Sequence, residues 1–237
     1  MPVYRLSDHD IVFPPPSQAP PDGLLAVAGD LRPERLLAAY SQGIFPWPHD
    51  GYPLLWFSPD PRMVLRPAEL HVARRLARTL RQGKFEVRLD SAFRAVMEGC
   101  AGVPRKHERG TWITPEMIAA YCRLHELGFA HSAEAYSGGE LVGGIYGVSL
   151  GHAFIGESMF ARVNDASKVA FATLVHQLAR WEFTLVDAQV YTRHVAHFGA
   201  TEWPRARYLR ALNEALQWPT RRGRWVLEEG DFSEPAG

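Results

Sequence analysis

The stretch from His131 to Met159 constrains this chain more than any other. Two apolar or alternating runs, 131–136 and 140–149, flank Ser137-Gly138-Gly139, and a third run continues from Gly151 to Met159. Alternation over such lengths reads as strand. A turn centred on two glycines reads as a hairpin, because the tight hairpin turns need positive φ at their central residues. A sheet of antiparallel strands is therefore expected here, and the remaining segments must cover it. The apolar run 166–181 is expected to be a helix and 183–190 a strand. Further helices are expected over 32–42, with Pro33 in the first turn and Gly43 as its stop, and over 69–82 and 91–100. Three more are expected over 115–127, 193–198 and 205–216; the first of these has Thr114 as N-cap and Gly128 as stop. A strand is expected over 85–89. The fold class is thus α+β: a mostly antiparallel sheet with helices around it.

The first quarter of the chain is punctuated differently. Residues 14–22 are rich in proline and read as an extended surface segment. Ile44-Phe45-Pro46-Trp47-Pro48 and the run from Leu54 to Pro61 are aromatic stretches that proline bars from helix interiors. Pro59 and Pro61 place a junction near residue 61. The chain of 237 residues is long enough for a small N-terminal domain, 1–61, and a larger one, 62–237.

Hydrophobic residues make up 46% and charged residues 22%, a balance suited to a buried core. No apolar run approaches the roughly 20 residues that span a bilayer. Met1 to Phe13 carries Arg5, Asp8 and Asp10 and does not read as a leader peptide, so a cytoplasmic location without membrane attachment is expected. Cys100 and Cys122 are the two cysteines, and they lack C-x-x-C spacing. Formal net charge is zero, yet nine basic residues against three acidic ones lie between Arg62 and Arg94. Within that segment Arg74, Arg78 and Arg81 share one helical face, with Arg75 beside them and Lys84 just beyond. Such a stripe is either a solvated surface or a track for phosphates, which the arginine fork binds in bidentate fashion.

Three further features carry chemistry. Asp187 and Gln189 alternate with Val186, Ala188 and Val190, so on a strand they point the same way. Polar groups on such a strand are costly to bury without partners. Glu157 stands inside the apolar run from Phe154 to Phe160, either paired with Arg162 or kept as a buried receptor for a cation. Gly147-Val148-Ser149-Leu150-Gly151 has the G-x-S-x-G form of a hydrolase nucleophile elbow, and Asp187 then His194 or His197 follow in suitable order. That elbow needs a strand, a sharp turn and a helix, whereas His152-Ala153-Phe154-Ile155 reads as strand. His125-Glu126 lacks the second histidine of H-E-x-x-H, since Phe129 stands there. No glycine-rich nucleotide cradle exists, and neither a metal nor another cofactor is expected.

The motifs taken together resemble one family, the bacterial leucyl/phenylalanyl-tRNA–protein transferases. The matching strings include Gly23 to Leu31, Gly43-Ile-Phe-Pro-Trp47, Trp56 to Arg62, Thr111-Trp-Ile-Thr114, Leu141 to Gly147, Gly156-Glu-Ser-Met-Phe160, Asn164 to Lys168 and Asp187-Ala-Gln189. They occur in family order from about residue 4 to about residue 218. The resemblance implies a small N-terminal domain and an acetyltransferase-like (GNAT-like) core. It implies transfer of Leu or Phe, with Met as a further donor, from aminoacyl-tRNA to proteins that begin with Arg or Lys, marking them for N-end-rule degradation. It also implies roles. Asp187 would hydrogen-bond the attacking amine and accept its proton, either directly or through Gln189, with Gln189 orienting the amine, and Glu157 would hold the acceptor's cationic first residue. Tyr40, Trp47, Trp112 and Tyr121 would surround the terminal adenosine. Ile145, Phe154, Leu174, Leu178 and Val186 would form the pocket for the donor side chain. In that setting Arg74, Arg78, Arg81 and Lys84 would grip tRNA phosphates. Two departures from the family stand out: Ile145 and Leu174 replace larger or softer residues, and the charged loop 102–109 is longer than usual.

Overall fold

The computed structural model describes residues 3–49, 51–103 and 111–228. Its elements in chain order begin with β1 (Tyr4–Arg5), β2 (Leu24–Val27), α1 (Pro33–Tyr40), β3 (Phe45–Pro46), β4 (Leu55–Phe57) and β5 (Arg62–Leu65). Next come α2 (Arg74–Arg81), β6 (Glu86–Leu89), α3 (Phe93–Ala101), α4 (Pro115–Glu126), β7 (Ala130–Ser137) and β8 (Glu140–Leu150). The last are β9 (Ala153–Ala161), α5 (Ala166–Arg180), β10 (Leu185–Gln189), α6 (Arg193–Ala196), β11 (Thr201–Trp203) and α7 (Arg205–Ala215).

Two sheets result. β1, β2, β4 and β3 pair in that order, all from the proline-rich first quarter. The larger sheet runs β11-β5-β10-β9-β8-β7-β6. Its neighbours are antiparallel except β9 and β10, which are parallel. The expected meander is β7-β8-β9. Gly138 and Gly139 make its first turn at φ of +60° and +84°, values that glycine adopts without the Cβ penalty.

Helices cover both faces of the large sheet. On one side α3, α4 and α7 contribute Phe93, Met97, Tyr121, Leu124 and Leu212 to a core shared with Leu36 and Ala39 of α1. On the other, α5 lays Val169, Phe171, Leu174 and Leu178 against Ile145, Phe154 and Val186. α5 is buried around most of its circumference because α2 and the C-terminal segment at Trp225 cover what the sheet does not. Burial of this kind stabilises by roughly 25 cal/mol per Å² of apolar surface.

Local signals explain several boundaries. Thr114 caps α4 by accepting the Met117 N–H at 3.3 Å, Pro115 opens the first turn, and Gly128 closes it at φ +78°. One helix starts later than periodicity suggests. Residues 69–82 were expected to be helical throughout, but a single 3₁₀ turn occupies Pro67–Glu69 and α2 begins only at Arg74. The cause is tertiary: the His71 N–H bonds the Phe198 carbonyl at 2.9 Å, which holds the intervening chain extended. Strands β5 and β11 were not anticipated. The part of the charged loop 102–109 from Pro104 onward lies outside the described residues. Among the described residues no helix is long and apolar enough to cross a membrane.

Candidate active site

The site forms where β9 and β10 part. They pair from Leu185 opposite Ala153 to Asp187 opposite Ile155. Two irregularities lie just past that point. On β9, Gly156 faces Gly147 while Ser158 faces Tyr146, so Glu157 is the extra residue of a β-bulge. On β10, Asp187 faces Val64 while Gln189 faces Met63, so Ala188 is the extra residue of a second bulge. Bulges re-aim side chains and end regular pairing. Gly147 is required opposite the first one: a Cβ there would collide with the Ile155 carbonyl oxygen and come within 2.6 Å of the Phe154 ring. Gln189 takes a left-handed φ of +62°, a conformation that costs a non-glycine residue on the order of 1 kcal/mol.

Asp187 is fully buried and fully engaged. Arg62 donates to it from Nε at 2.8 Å and from Nη2 at 2.6 Å. Tyr208 donates its hydroxyl at 2.7 Å and the Gln189 backbone N–H donates at 2.8 Å. Arg62 in turn bonds the Gly43 carbonyl at 3.0 Å and lies between the rings of Phe45 and Tyr208, 4.9 and 4.5 Å from their centres. Burial opposes the Arg62 charge, but Asp187 more than offsets it and raises its pKa above the ordinary arginine value. Burial also pushes the Tyr208 phenol well above its usual range, so it stays a proton donor.

Glu157 occupies the other end of the network. Its carboxylate accepts from Tyr40 at 2.8 Å, from Tyr121 at 3.2 Å and from the Gln189 side-chain amide at 2.7 Å. The Tyr40 and Tyr121 hydroxyls also bond each other. Burial pushes the Glu157 carboxyl up to about 7, with the three hydrogen bonds pulling against it and the charge of Asp187 adding to the rise. A carboxyl of this kind changes charge near neutral pH, a property that marks functional sites.

Two cavities meet at Glu157. The larger, about 410 Å³, has an apolar wall of Ile145, Met159, Phe171, Val186 and Val195. The smaller, about 170 Å³, is bounded by Phe45, Trp47, Trp112 and Gln189. Both share Glu157, Ser158, Ala188 and Thr192. A greasy pocket, an aromatic slot and an ionisable carboxylate between them suit a substrate with an apolar side chain on one arm and a flat ring on the other.

Residues 64–213 match the model of the leucyl/phenylalanyl-tRNA protein transferase family, and residues 29–60 match that of its N-terminal domain. The chain belongs to the leucyl/phenylalanyl-tRNA–protein transferase family. Proteins of that name from Myxococcus xanthus (strain DK1622) and Anaeromyxobacter sp. (strain Fw109-5) are 58% and 59% identical to it. The first alignment covers 99% of this chain and the second 100%, and each covers 100% of the relative. A third, from Nitratidesulfovibrio vulgaris (strain DP4), is 56% identical over 98% of this chain and 99% of its own. The chain is a transferase.

The structure places the residues that the leucyl/phenylalanyl-tRNA–protein transferase resemblance singles out in five groups. Asp187, Gln189 and Glu157 form one hydrogen-bonded chain. Ile145 and Val186 face the larger cavity, and Trp47 and Trp112 the smaller. Tyr40 and Tyr121 are 1% and 0% exposed, so their rings offer no face to a base and their hydroxyls go to Glu157 instead. Phe154, Leu174 and Leu178 are wholly buried in the core behind the larger cavity rather than on its wall. Arg74, Arg78, Arg81 and Lys84 are exposed on and just after α2, away from both cavities.

Sequence reasoning missed Arg62, Tyr208, Met159 and Phe171. Arg62 had a signal, a lone charge opening the buried run Met63–Leu65; the others are ordinary core types. The G-x-S-x-G string is no elbow. Ser149 lies inside β8, fully buried, and the chain continues into β9. For Cys122, burial raises the thiol pKa and works against a nucleophile.

Proposed function

We propose that the chain moves Leu, Phe or Met from aminoacyl-tRNA to the α-amine of proteins that begin with Arg or Lys, marking them for N-end-rule degradation in the cytoplasm. The observation that carries this reading is the contact of Gln189 with Glu157 at the junction of the apolar cavity and the tryptophan slot. In this reading a small N-terminal domain, 1–61, supplies Trp47, and an acetyltransferase-like domain, 62–237, supplies the reacting groups. The donor side chain enters the cavity of Ile145, Met159, Phe171 and Val186, backed by Phe154, Leu174 and Leu178. The terminal adenosine lies against Trp47 and Trp112. Arg74, Arg78, Arg81 and Lys84 hold phosphates farther along the RNA.

The reaction makes an amide from an ester. The acceptor nitrogen bonds the ester carbonyl carbon, the ribose oxygen leaves, and the proton lost by the amine must be received. Asp187 has no free oxygen for it, so Asp187 acts as a positioning residue: it fixes the Gln189 backbone. Gln189 gives its NH₂ to Glu157, which leaves its carbonyl oxygen to accept from the amine. Glu157, at about 7, attracts the acceptor's cation when ionised. An α-ammonium group titrates near ~8, so passing its proton to Glu157 is uphill by only roughly 1 kcal/mol. The departing ribose oxygen takes the proton in the second half. Orientation of the reactants supplies the rest of the acceleration.

The test is transfer of labelled leucine from Leu-tRNA to a peptide beginning with Arg and to one beginning with Gly. Transfer to the first alone, reduced strongly in Glu157→Ala and in Gln189→Ala, is expected. Equal transfer to both peptides would overturn the acceptor assignment, and undiminished transfer in the two variants would overturn the site.

A further inference from the structure

A third cavity, about 390 Å³, lies beside the donor cavity and has no part in the chemistry above. Arg75 of α2, Asp165 and Lys168 at the start of α5, His194 and His197 border it, with His71 on the extended segment before α2. His194 belongs to the walls of both this cavity and the donor cavity. The two spaces therefore adjoin at its ring.

The charge in this cavity is arranged but not closed. Asp165 stands at the N-terminal boundary of α5 with a left-handed φ of +68°, and its carboxylate accepts from Lys168 at 2.7 Å and from Arg75 at 3.2 Å. The hydrogen bond from Lys168, with Arg75 assisting, holds the Asp165 carboxyl below its usual range against partial burial. A half-exposed lysine and a largely exposed arginine thus face one carboxylate. A lysine has three donors and an arginine five, so donors remain after Asp165 is served. His194 Nε2 is shut off from solvent and finds no hydrogen-bond partner among the described residues. Burial lowers the His194 pKa first, and the nearby Lys168 and His197 lower it further. An anion in the cavity would draw the spare donors, and its charge would favour the His194 imidazolium.

Position says which anion. The donor cavity on one side holds the acyl group, and α2 on the other carries Arg74, Arg78 and Arg81 on its outer surface. This cavity lies between them in its lining: it shares His194 with the first and takes Arg75 from the second. Phosphate is the anion an RNA strand carries at every step, and arginine and lysine are its usual ligands. We propose that this cavity binds the phosphodiester immediately 5′ of the aminoacylated terminal nucleoside, with Lys168 and Arg75 as its donors and His194 on its wall. The inference rests on the aminoacyl-tRNA reading given above.

The experiment compares leucyl-adenosine with the same ester carrying a 5′-phosphate as minimal donors. Wild type, Lys168→Ala and Lys168→Arg are assayed for kcat/KM against a peptide beginning with Arg. In wild type the phosphate is expected to raise kcat/KM about tenfold, in Lys168→Ala less than about twofold, and in Lys168→Arg, which keeps the pair with Asp165, most of the gain returns. Equal use of both donors by wild type overturns the site, and so does an undiminished preference in Lys168→Ala. Intact Leu-tRNA is run alongside: if wild type fails with it, the transferase reading falls instead. The site is then decided without catalysis, by calorimetric binding of adenosine 5′-monophosphate against adenosine. Tighter binding of the phosphorylated form that Lys168→Ala abolishes upholds it, and indifference to the phosphate overturns it.

Discussion

Arg62 holds both carboxylate oxygens of Asp187, at 2.8 Å from Nε and 2.6 Å from Nη2, although the two residues lie 125 positions apart in sequence. The pair is closed to solvent on both sides, with side-chain exposures of 1% and 0%. Such a pair suits a scaffold: each carboxylate oxygen already accepts two hydrogen bonds, and its geometry fixes what is attached to it. What is attached is the Gln189 backbone.

Two substitutions at Asp187 separate scaffold from base. Asp187→Ala leaves the Arg62 charge buried without its partner, a loss of about 3–5 kcal/mol in stability. Asp187→Asn retains an oxygen for the Gln189 N–H. The Asn variant is expected to keep roughly a tenth of wild-type kcat and the Ala variant about a hundredth or less, measured with Leu-tRNA beside denaturant titrations. Equal collapse of both, with Asp187→Asn stably folded, would make the carboxylate itself the proton acceptor.

The pH dependence should belong to Glu157. Its carboxyl is raised from 4.5 to about 7 in the folded chain, so kcat/KM is expected to climb through pH 7 as the carboxylate forms and then level off. The sign for stability is the opposite. A raised folded pKa favours the protonated folded state, so this contribution is complete below the unfolded value of about 4.5 and is lost as pH rises through about 7. The difference amounts to roughly 3 kcal/mol at most. Glu157→Gln should therefore flatten the acid limb of the rate profile and gain stability relative to wild type between pH 5 and 8. A wild-type rate profile flat from pH 6 to 8 would remove Glu157 from the reaction.

Ser149 offers a contrasting case. It is fully buried on β8, and its hydroxyl finds no hydrogen-bond partner among the described residues. Removing an unsatisfied buried hydroxyl is neutral or stabilising by about 1 kcal/mol. Ser149→Ala is expected to transfer leucine at the wild-type rate with an unchanged or slightly raised melting temperature. A loss of activity beyond tenfold in a folded variant would restore the nucleophile-elbow reading.

How much of this was legible beforehand depends on the range of the interaction involved. The signals at Thr114, Pro115 and Gly128 act within one or two turns of chain, and α4 starts and stops where they stand. The Gly138-Gly139 turn is equally local. The period of two placed Asp187 and Gln189 on one strand side, but the bulge at Ala188 and the left-handed φ at Gln189 depend on β5, a strand that periodicity did not reveal. The bulge that aims Glu157 likewise needs Gly147 on the opposite strand. Aromatic type alone could not separate Trp47 and Trp112, which line a cavity, from Tyr40 and Tyr121, which are enclosed beneath a carboxylate. The early part of the expected helix 69–82 failed for the same reason: its decisive hydrogen bond comes from Phe198.

Arg78 tests whether the basic face of α2 is more than a solvated surface. It is exposed, one turn from Arg74 and short of one turn from Arg81, so the three guanidinium groups line one side of the helix. Phosphate contacts of this kind add affinity by releasing condensed counterions, and each contact contributes close to one unit to the slope of log affinity against log salt. Arg78→Glu removes one contact and repels its neighbours. It is expected to raise KM for Leu-tRNA about tenfold at low salt and to reduce the salt slope by about one to two units, with the effect falling on KM rather than kcat. Because the effect is ionic, the KM values of wild type and variant should converge as salt rises toward the point where the Debye length, about 3 Å at 1 M, is shorter than the contact. Unchanged KM and slope at low salt would return this face to solvent.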